Sequence, residues 1–182
     1  MNSRTGFFLA GAATAALAMG SMTAQAQPPA TPQAQRSGAL AVGDRVFIKE
    51  AAETSRFEVD ASELAVKNAA SPKVRDYAAT LLRDHKVSDG GLLRLSHARG
   101  ITPPMMTGAH RKTLNQLAKA HGAGFDRIYL EKVGLQSHRD SIKAFESAGN
   151  DVRDAELKSW IDGALPVLRE HLARAQMMAG KR

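Results

Sequence analysis

The chain has 182 residues, 43% of them hydrophobic and 24% charged, with no cysteine and a formal net charge of +7. Without cysteine it can form neither a disulfide nor a thiolate metal site, and a lipid-anchored lipoprotein is excluded, so any metal must be held by nitrogen and oxygen. Aromatic residues are only 5% of the chain, too few for the stacking platforms that bind single-stranded nucleic acid, so nucleic acid is not an expected partner. The basic balance fits contact with an anionic envelope surface, or solubility alone.

In chain order, Met1 to Thr5 carry one positive charge, Arg4, and Gly6 to Gly20 form an apolar run. That run is short and rich in Ala and Gly for a membrane span. Ala24-Gln25-Ala26 has the small-x-small pattern of a signal-peptidase site. Residues 1–26 are therefore predicted to be a signal peptide cut after Ala26, with the protein exported to a bacterial periplasm or cell envelope. The competing reading is an uncleaved amino-terminal anchor. Residues 27–40 begin "QPPATPQAQ" and hold almost no large apolar residue. Such a segment cannot bury a core and is predicted to be a disordered linker. Residues 41–180 fit one domain.

Helical periodicity dominates that domain. Helix one is predicted from about Asp44, a candidate cap, to Ala69. Helix two is predicted from Pro72 to Ala98, on a stripe of Val74, Ala78, Leu81, His85, Leu92 and Leu95, and is stopped by Gly100. Asp89-Gly90-Gly91 lies inside it, where each glycine costs about 1 kcal/mol against alanine and permits a soft spot. A short helix follows over His110 to His121. Helix three is predicted from Phe125 to Ser147, on Phe125, Ile128, Leu135, His138, Ile142 and Phe145. Helix four is predicted from Val152 to Met178, on Leu157, Ile161, Leu165, Leu168, His171 or Leu172, and Ala175, with Pro166 expected to kink it. Four long amphipathic helices with a short extra helix in the connection between helices two and three predict an all-α four-helix bundle.

Three similar sextets, "LLRDHK", "SHRDSI" and "LREHLA", put His85 and His138 on the inward stripes of two helices and His171 at the edge of the stripe of a third. Helix one offers Glu58 on a line of small residues, Ala51, Ser55, Ser62 and Ala65. Each long helix can thus send one donor toward the axis, which is how bundles build metal sites. Glu58, His85, His138 and His171 are the candidate ligands for zinc, copper, iron or manganese. Asp84, Asp89, Glu131 and Glu170 are candidate partners that orient them. The bland alternative is that each histidine is a polar residue satisfied by one hydrogen bond. A common depth along the bundle decides between the two. His97, His110 and His121 fall near helix ends and are predicted at the surface. Met105-Met106 and Met177-Met178 are weaker candidates for a soft metal, gap-filling being the plainer role.

Several chemistries are absent from the sequence. A di-iron bundle uses Glu-x-x-His pairs, but Leu82, Leu135 and Leu168 stand three residues before the histidines. There is no His-Glu-x-x-His zinc-protease motif, no Gly-x-Ser-x-Gly elbow and no phosphate loop. Adjacent Ser137 and His138 point apart on a helix and make no catalytic pair. No catalytic residue is therefore assigned, and three histidines with a carboxylate suit a binder more than an enzyme.

The stretches "FIKEAAETSRFEVDASELAVKNAASPKVRDYAATLLRDH", "GAGFDRIYLEKVGLQSH" and "LPVLREHLARAQ" resemble an exported bacterial family, domain of unknown function 4142, which often carries an outer-membrane label. The resemblance covers about Asp44 to Met178. It rests on Glu58, Asp84-His85, Phe125-Asp126 with Tyr129 and His138, and Leu165-Pro166 with Leu168, His171 and Leu172. It implies a ferritin-like bundle of unknown role. The outer-membrane label finds no support in these residues, which offer no spanning helix and no strand series for a barrel. Two functions are expected: a periplasmic metal-binding bundle, or a non-catalytic envelope-associated structural or stress-response protein. An oxidoreductase with an atypical centre comes third.

Overall fold

The computed structural model describes residues 40–180. The predicted signal peptide, its cut after Ala26 and nearly all of the linker lie outside the described residues. Every regular element within them is helical: α1 (Val42–Asn68), α2 (Pro72–Ala98), α3 (Gly108–Lys119), α4 (Gly122–Tyr129), a π-helical segment (Leu130–Ser137), α5 (His138–Asp151) and α6 (Ala155–Met178). The segments α4, π and α5 are continuous and form one rod.

The helix ends follow local chemistry, with a few surprises. Pro72 opens α2 after Ser71, where its missing N–H is no loss. Gly100 takes a positive φ of 61° just past the end of α2, a conformation that costs glycine nothing. Asp154 caps α6 by accepting from the Glu156 and Leu157 amides, so that helix starts at Ala155 rather than Val152. Thr107 caps α3 by accepting from the His110 amide, which moves its start to Gly108. Asp44 is not a cap: α1 begins two residues earlier, after Ala41, and Asp44 sits in its first turn, where a negative charge favours the helix dipole. The rod starts at Gly122 and runs to Asp151, beyond the predicted Phe125 and Ser147 at both ends. Helix α2 runs unbroken through Asp89-Gly90-Gly91.

α1 packs on α2 and on the rod, and α6 packs on α2 and on the rod. All four neighbouring pairs are antiparallel, which leaves α2 and the rod parallel. The chain must therefore cross the length of the bundle between them, and α3 lies on that crossover, against α1. One long crossover is the connectivity of ferritin-like bundles.

The core divides in two. One apolar cluster gathers Phe57, Ala61, Tyr77, Leu81, Phe125, Tyr129, Leu135 and Ala175. The other gathers Phe47, Ile48, Leu92, Leu95, Phe145, Leu157, Ile161 and Leu168. Residues of intermediate position on each long helix are polar: Ser55 and Glu58, His85 and Asp89, Ser137 and His138, His171. The Phe125-Asp126-x-x-Tyr129 run serves the first cluster. Phe125 and Tyr129 are fully buried in it, the Tyr129 hydroxyl bonds Ser62 Oγ at 2.8 Å, and Asp126 accepts from the Ala70 and Ser71 amides. That carboxylate fastens the α1–α2 turn to the rod. None of the helices among the described residues is long and apolar enough to cross a membrane.

Candidate metal centre

The polar layer brings Glu58 from α1, His85 from α2, His138 from α5 and His171 from α6 together. Their exposures are 1%, 7%, 0% and 2%. A ligand atom of each of the three histidines lies within 4.8 Å of one on each of the others, and the ring centroids stand 5.3 to 5.8 Å apart. Glu58 Oε2 is 3.2 Å from His85 Nε2, and Glu58 Oε1 is 3.5 Å from His138 Nδ1. The common depth that the sequence left open is therefore met. The choice between His171 and Leu172 falls to His171, which is buried while Leu172 packs at the margin of the core.

The outer partners fix the protons. His138 Nδ1 is 2.9 Å from the Val133 carbonyl, an oxygen that can only accept, so Nδ1 carries the hydrogen. His171 Nε2 is 3.0 Å from Asp84 Oδ2 and donates to that carboxylate. The facing nitrogens, His138 Nε2 and His171 Nδ1, are 3.3 Å apart. With their hydrogens spent on the far sides, they present two lone pairs to each other. His85 shows the same pattern. Ser55 Oγ gives its own hydrogen to Asp89 Oδ1 and so can accept from His85 Nδ1, 3.3 Å away. In that tautomer Nε2 stands bare, 3.2 Å from Glu58 Oε2; in the other it carries its hydrogen beside that carboxylate. His85 Nε2 is the buried side-chain nitrogen without a hydrogen-bond partner among the described residues.

Lone pairs facing lone pairs in a buried layer repel unless a cation lies between them. Two of the spacings suit one, while the three histidine nitrogens as a set lie within 4.8 Å of one another, wider than such an ion holds its ligands. Tetrahedral ligands held at about 2.0–2.1 Å from a zinc ion stand roughly 3.3 Å apart, close to the 3.3 Å between His138 and His171 and the 3.2 Å between His85 and Glu58.

Charge states agree with this arrangement. Burial pushes the His171 imidazole down to about 4, and its bond to Asp84 only partly offsets that. Burial also lowers His138, against the pull of Glu58. Both rings are neutral at neutral pH, the form that binds metal. Burial alone would raise Glu58, but positive charge on the neighbouring His138 and His85, when they take a proton, and the Ser137 hydroxyl, 2.7 Å from Oε1, hold it below its ordinary value.

The π segment positions His138. Its wider winding places the Val133 carbonyl against His138 Nδ1, and π segments concentrate at functional sites. Gly134 permits the close packing this requires: a Cβ there would lie 2.9 Å from Ala175 Cβ and 3.3 Å from the Tyr77 ring.

The outer candidates fare unevenly. Asp84 is a partner, but of His171 across the bundle rather than of its neighbour His85. Asp89 reaches His85 only through Ser55. Glu131 is exposed and lies 3.9 Å from Lys132. Seven residues make nearly two turns of an α-helix, but not in the π segment, so Glu131 does not share a face with His138. Glu170 is exposed on α6, because consecutive helical residues point apart. His97 and His121 are exposed as predicted. His110 is not: its ring stacks on Phe57 with centroids 4.1 Å apart and bonds Glu53 at 2.9 Å. Glu53, itself buried, also accepts from the Thr107 amide. The sequence carries no local signal of this contact, which joins α3 to α1. Met105 and Met177 are exposed, while Met106 and Met178 pack against the core.

Beside the layer opens a cleft of about 780 Å³ between α1, α2, α5 and α6. Glu58, His85 and His171 form part of its wall, as do Phe47, Trp160 and Val167.

The comparisons with known proteins bear on this chain as follows. One family model, described as Domain of unknown function (DUF4142), matches residues 29–178. No curated protein matches, and no solved structure does.

Proposed function

We propose that this chain, which belongs to the family described as Domain of unknown function (DUF4142), is a metal-binding bundle that holds one divalent transition-metal ion at its centre. His85 Nε2, His138 Nε2 and His171 Nδ1 are the nitrogen ligands and Glu58 supplies the carboxylate. The observation that carries this reading is the direction of the ring nitrogens: outer acceptors take the far hydrogens of His138 and His171 and can take that of His85, which turns one buried nitrogen of each ring inward, His85 Nε2 among them without a hydrogen-bond partner. That is the carboxylate–histidine–metal pattern of outer-sphere support. The donor set suits zinc, copper, iron or manganese. The positions a second iron would need hold Leu82, Leu135 and Leu168, so the centre is mononuclear. The same proposal puts the protein in the periplasm or cell envelope, supported by the apolar run and small-x-small site before Gln27.

The test is metal analysis and thermal unfolding of the purified protein beside His85→Ala/His138→Ala/His171→Ala. One equivalent of metal that raises the melting temperature of the wild type alone is expected. A proton can satisfy the same lone pairs. If the wild type binds no metal while the triple variant still folds, the layer is a polar device fixing helix register, and the envelope-associated structural role becomes the better reading.

A further inference from the structure

A buried metal site that only stores charge or fixes the fold has no use for a large opening, yet the cleft reaches this one. Glu58, His85 and His171 border it; His85 is 7% exposed, and its Nε2 is buried without a hydrogen-bond partner just behind that wall. The opening is built by the sequence. The flanks of α2, α5 and α6 carry Ser88, Gly91, Ser141, Ala144, Gly163 and Ala164 where a bundle would pack larger residues. Trp160 lies along this wall, its ring against Gly91 and its Nε1–H donating to the Ser88 carbonyl at 3.3 Å. A Cβ on Gly91 would come within 3.1 Å of the indole, so glycine there is what lets the tryptophan lie flat beside α2. Val167, partly exposed, continues the apolar surface outward.

The rim adds a charge preference. Glu50, Asp140 and Glu170 are exposed on three different helices around the cleft. Arg83 is spent on Asp84 at 2.9 Å, which leaves Arg94 as the cation on that wall. These three carboxylates repel an anion at the mouth of the cleft, where a neutral head passes.

Resting on the metal reading above, we propose that the cleft is a ligand site: it takes a small neutral organic molecule whose nitrogen donor coordinates the central ion while its flat apolar body lies along Trp160, Ala164 and Val167. The ion then takes the ligand as a fifth donor beside its four protein ligands, and the protein binds a small molecule through its metal rather than merely holding the metal.

The experiment loads the purified protein with cobalt(II) and titrates imidazole, 4-phenylimidazole and benzoate, following the cobalt visible bands and the emission of Trp160, the single tryptophan of the chain. The control is Gly163→Phe. A Cβ at Gly163 meets no atom within 4 Å among the described residues, so this side chain fills the cleft without displacing the core. Expected are cobalt bands that shift with both imidazoles, 4-phenylimidazole binding about tenfold or more tighter than imidazole and quenching Trp160, and benzoate binding weakest. Gly163→Phe keeps its cobalt spectrum and melting temperature but loses the advantage of the phenyl group. Equal affinities for the two imidazoles, or an advantage that survives in Gly163→Phe, would overturn the ligand site while leaving the metal centre standing. Quenching of Trp160 without a cobalt shift would overturn coordination of the head. Failure of the ligand-free protein to take up cobalt at all would sink the metal reading and this inference with it.

Discussion

Asp84 stands next to His85 in the chain and serves His171 instead. The helix explains both facts: neighbours along it diverge by about 100°, while a residue one helix away at the same depth is within reach. The carboxylate does two things for that imidazole. It fixes the tautomer with Nδ1 bare, and it raises the basicity of the ring as a ligand. Its own ionisation is secure. Burial tends to raise it, but the bonds from His171 and Arg83 hold it below the ordinary aspartate value. Asp84→Ala is therefore expected to fold and to lose roughly 10- to 100-fold in metal affinity, read by competition with a chromophoric chelator. Glu170→Ala, one residue from His171 but facing solvent, is expected to match the wild type. If the two variants bind metal equally well, Asp84 has no part in orienting the ligand.

Among the elements, the π segment sets His138 apart from a histidine on an ordinary helix. It needs Gly134. An added methyl would press on Ala175 of α6 at 2.9 Å and on Tyr77 of α2 at 3.3 Å, and both neighbours are in the packed core. On an ordinary helix Gly→Ala stabilises by about 1 kcal/mol. Here overpacking of about 1–3 kcal/mol opposes it. Gly134→Ala is expected to lower stability by up to about 2 kcal/mol, read from urea midpoints, whereas Gly163→Ala, with open space around it, raises stability by up to about 1 kcal/mol. A stabilised Gly134→Ala would mean that the α6 contact yields freely. The helices themselves were legible because apolar residues recur at helical spacing and Pro72, Gly100 and Gly122 punctuate them. The π segment was not. "LEKVGLQS" has no feature that distinguishes i→i+5 from i→i+4 bonding, and reading it with the ordinary period put Glu131 on the wrong face.

For the whole molecule, the polar layer between two apolar clusters is the central fact, and half of it could be read from the sequence. His85 and His138 stood on inward stripes, His171 at the edge of one and Glu58 on a line of small residues, so their rough direction was legible. Their common depth and the crossover contact of Glu53 with His110 depend on how far each helix slides along its neighbours, which periodicity does not encode. The layer also makes stability depend on pH. The free imidazole titrates near 6.5, and the buried His171 is pushed down to about 4. As pH falls below 6.5 the unfolded chain takes up a proton that the folded chain refuses, so folding weakens progressively and the loss from this group is complete near pH 4. The difference corresponds to on the order of 3 kcal/mol for this one ring. His138, lowered by the same burial, adds to it in the same direction. Glu58, held below its ordinary value by its imidazole neighbours, adds a further loss at lower pH, when it protonates. Urea midpoints of the metal-free protein are therefore expected to fall between pH 7 and pH 4.5 by more in the wild type than in His171→Gln, which has no ring to protonate. Parallel curves for the two would show that His171 takes its proton as readily folded as unfolded, and the lone pairs of the layer would then be satisfied without an ion.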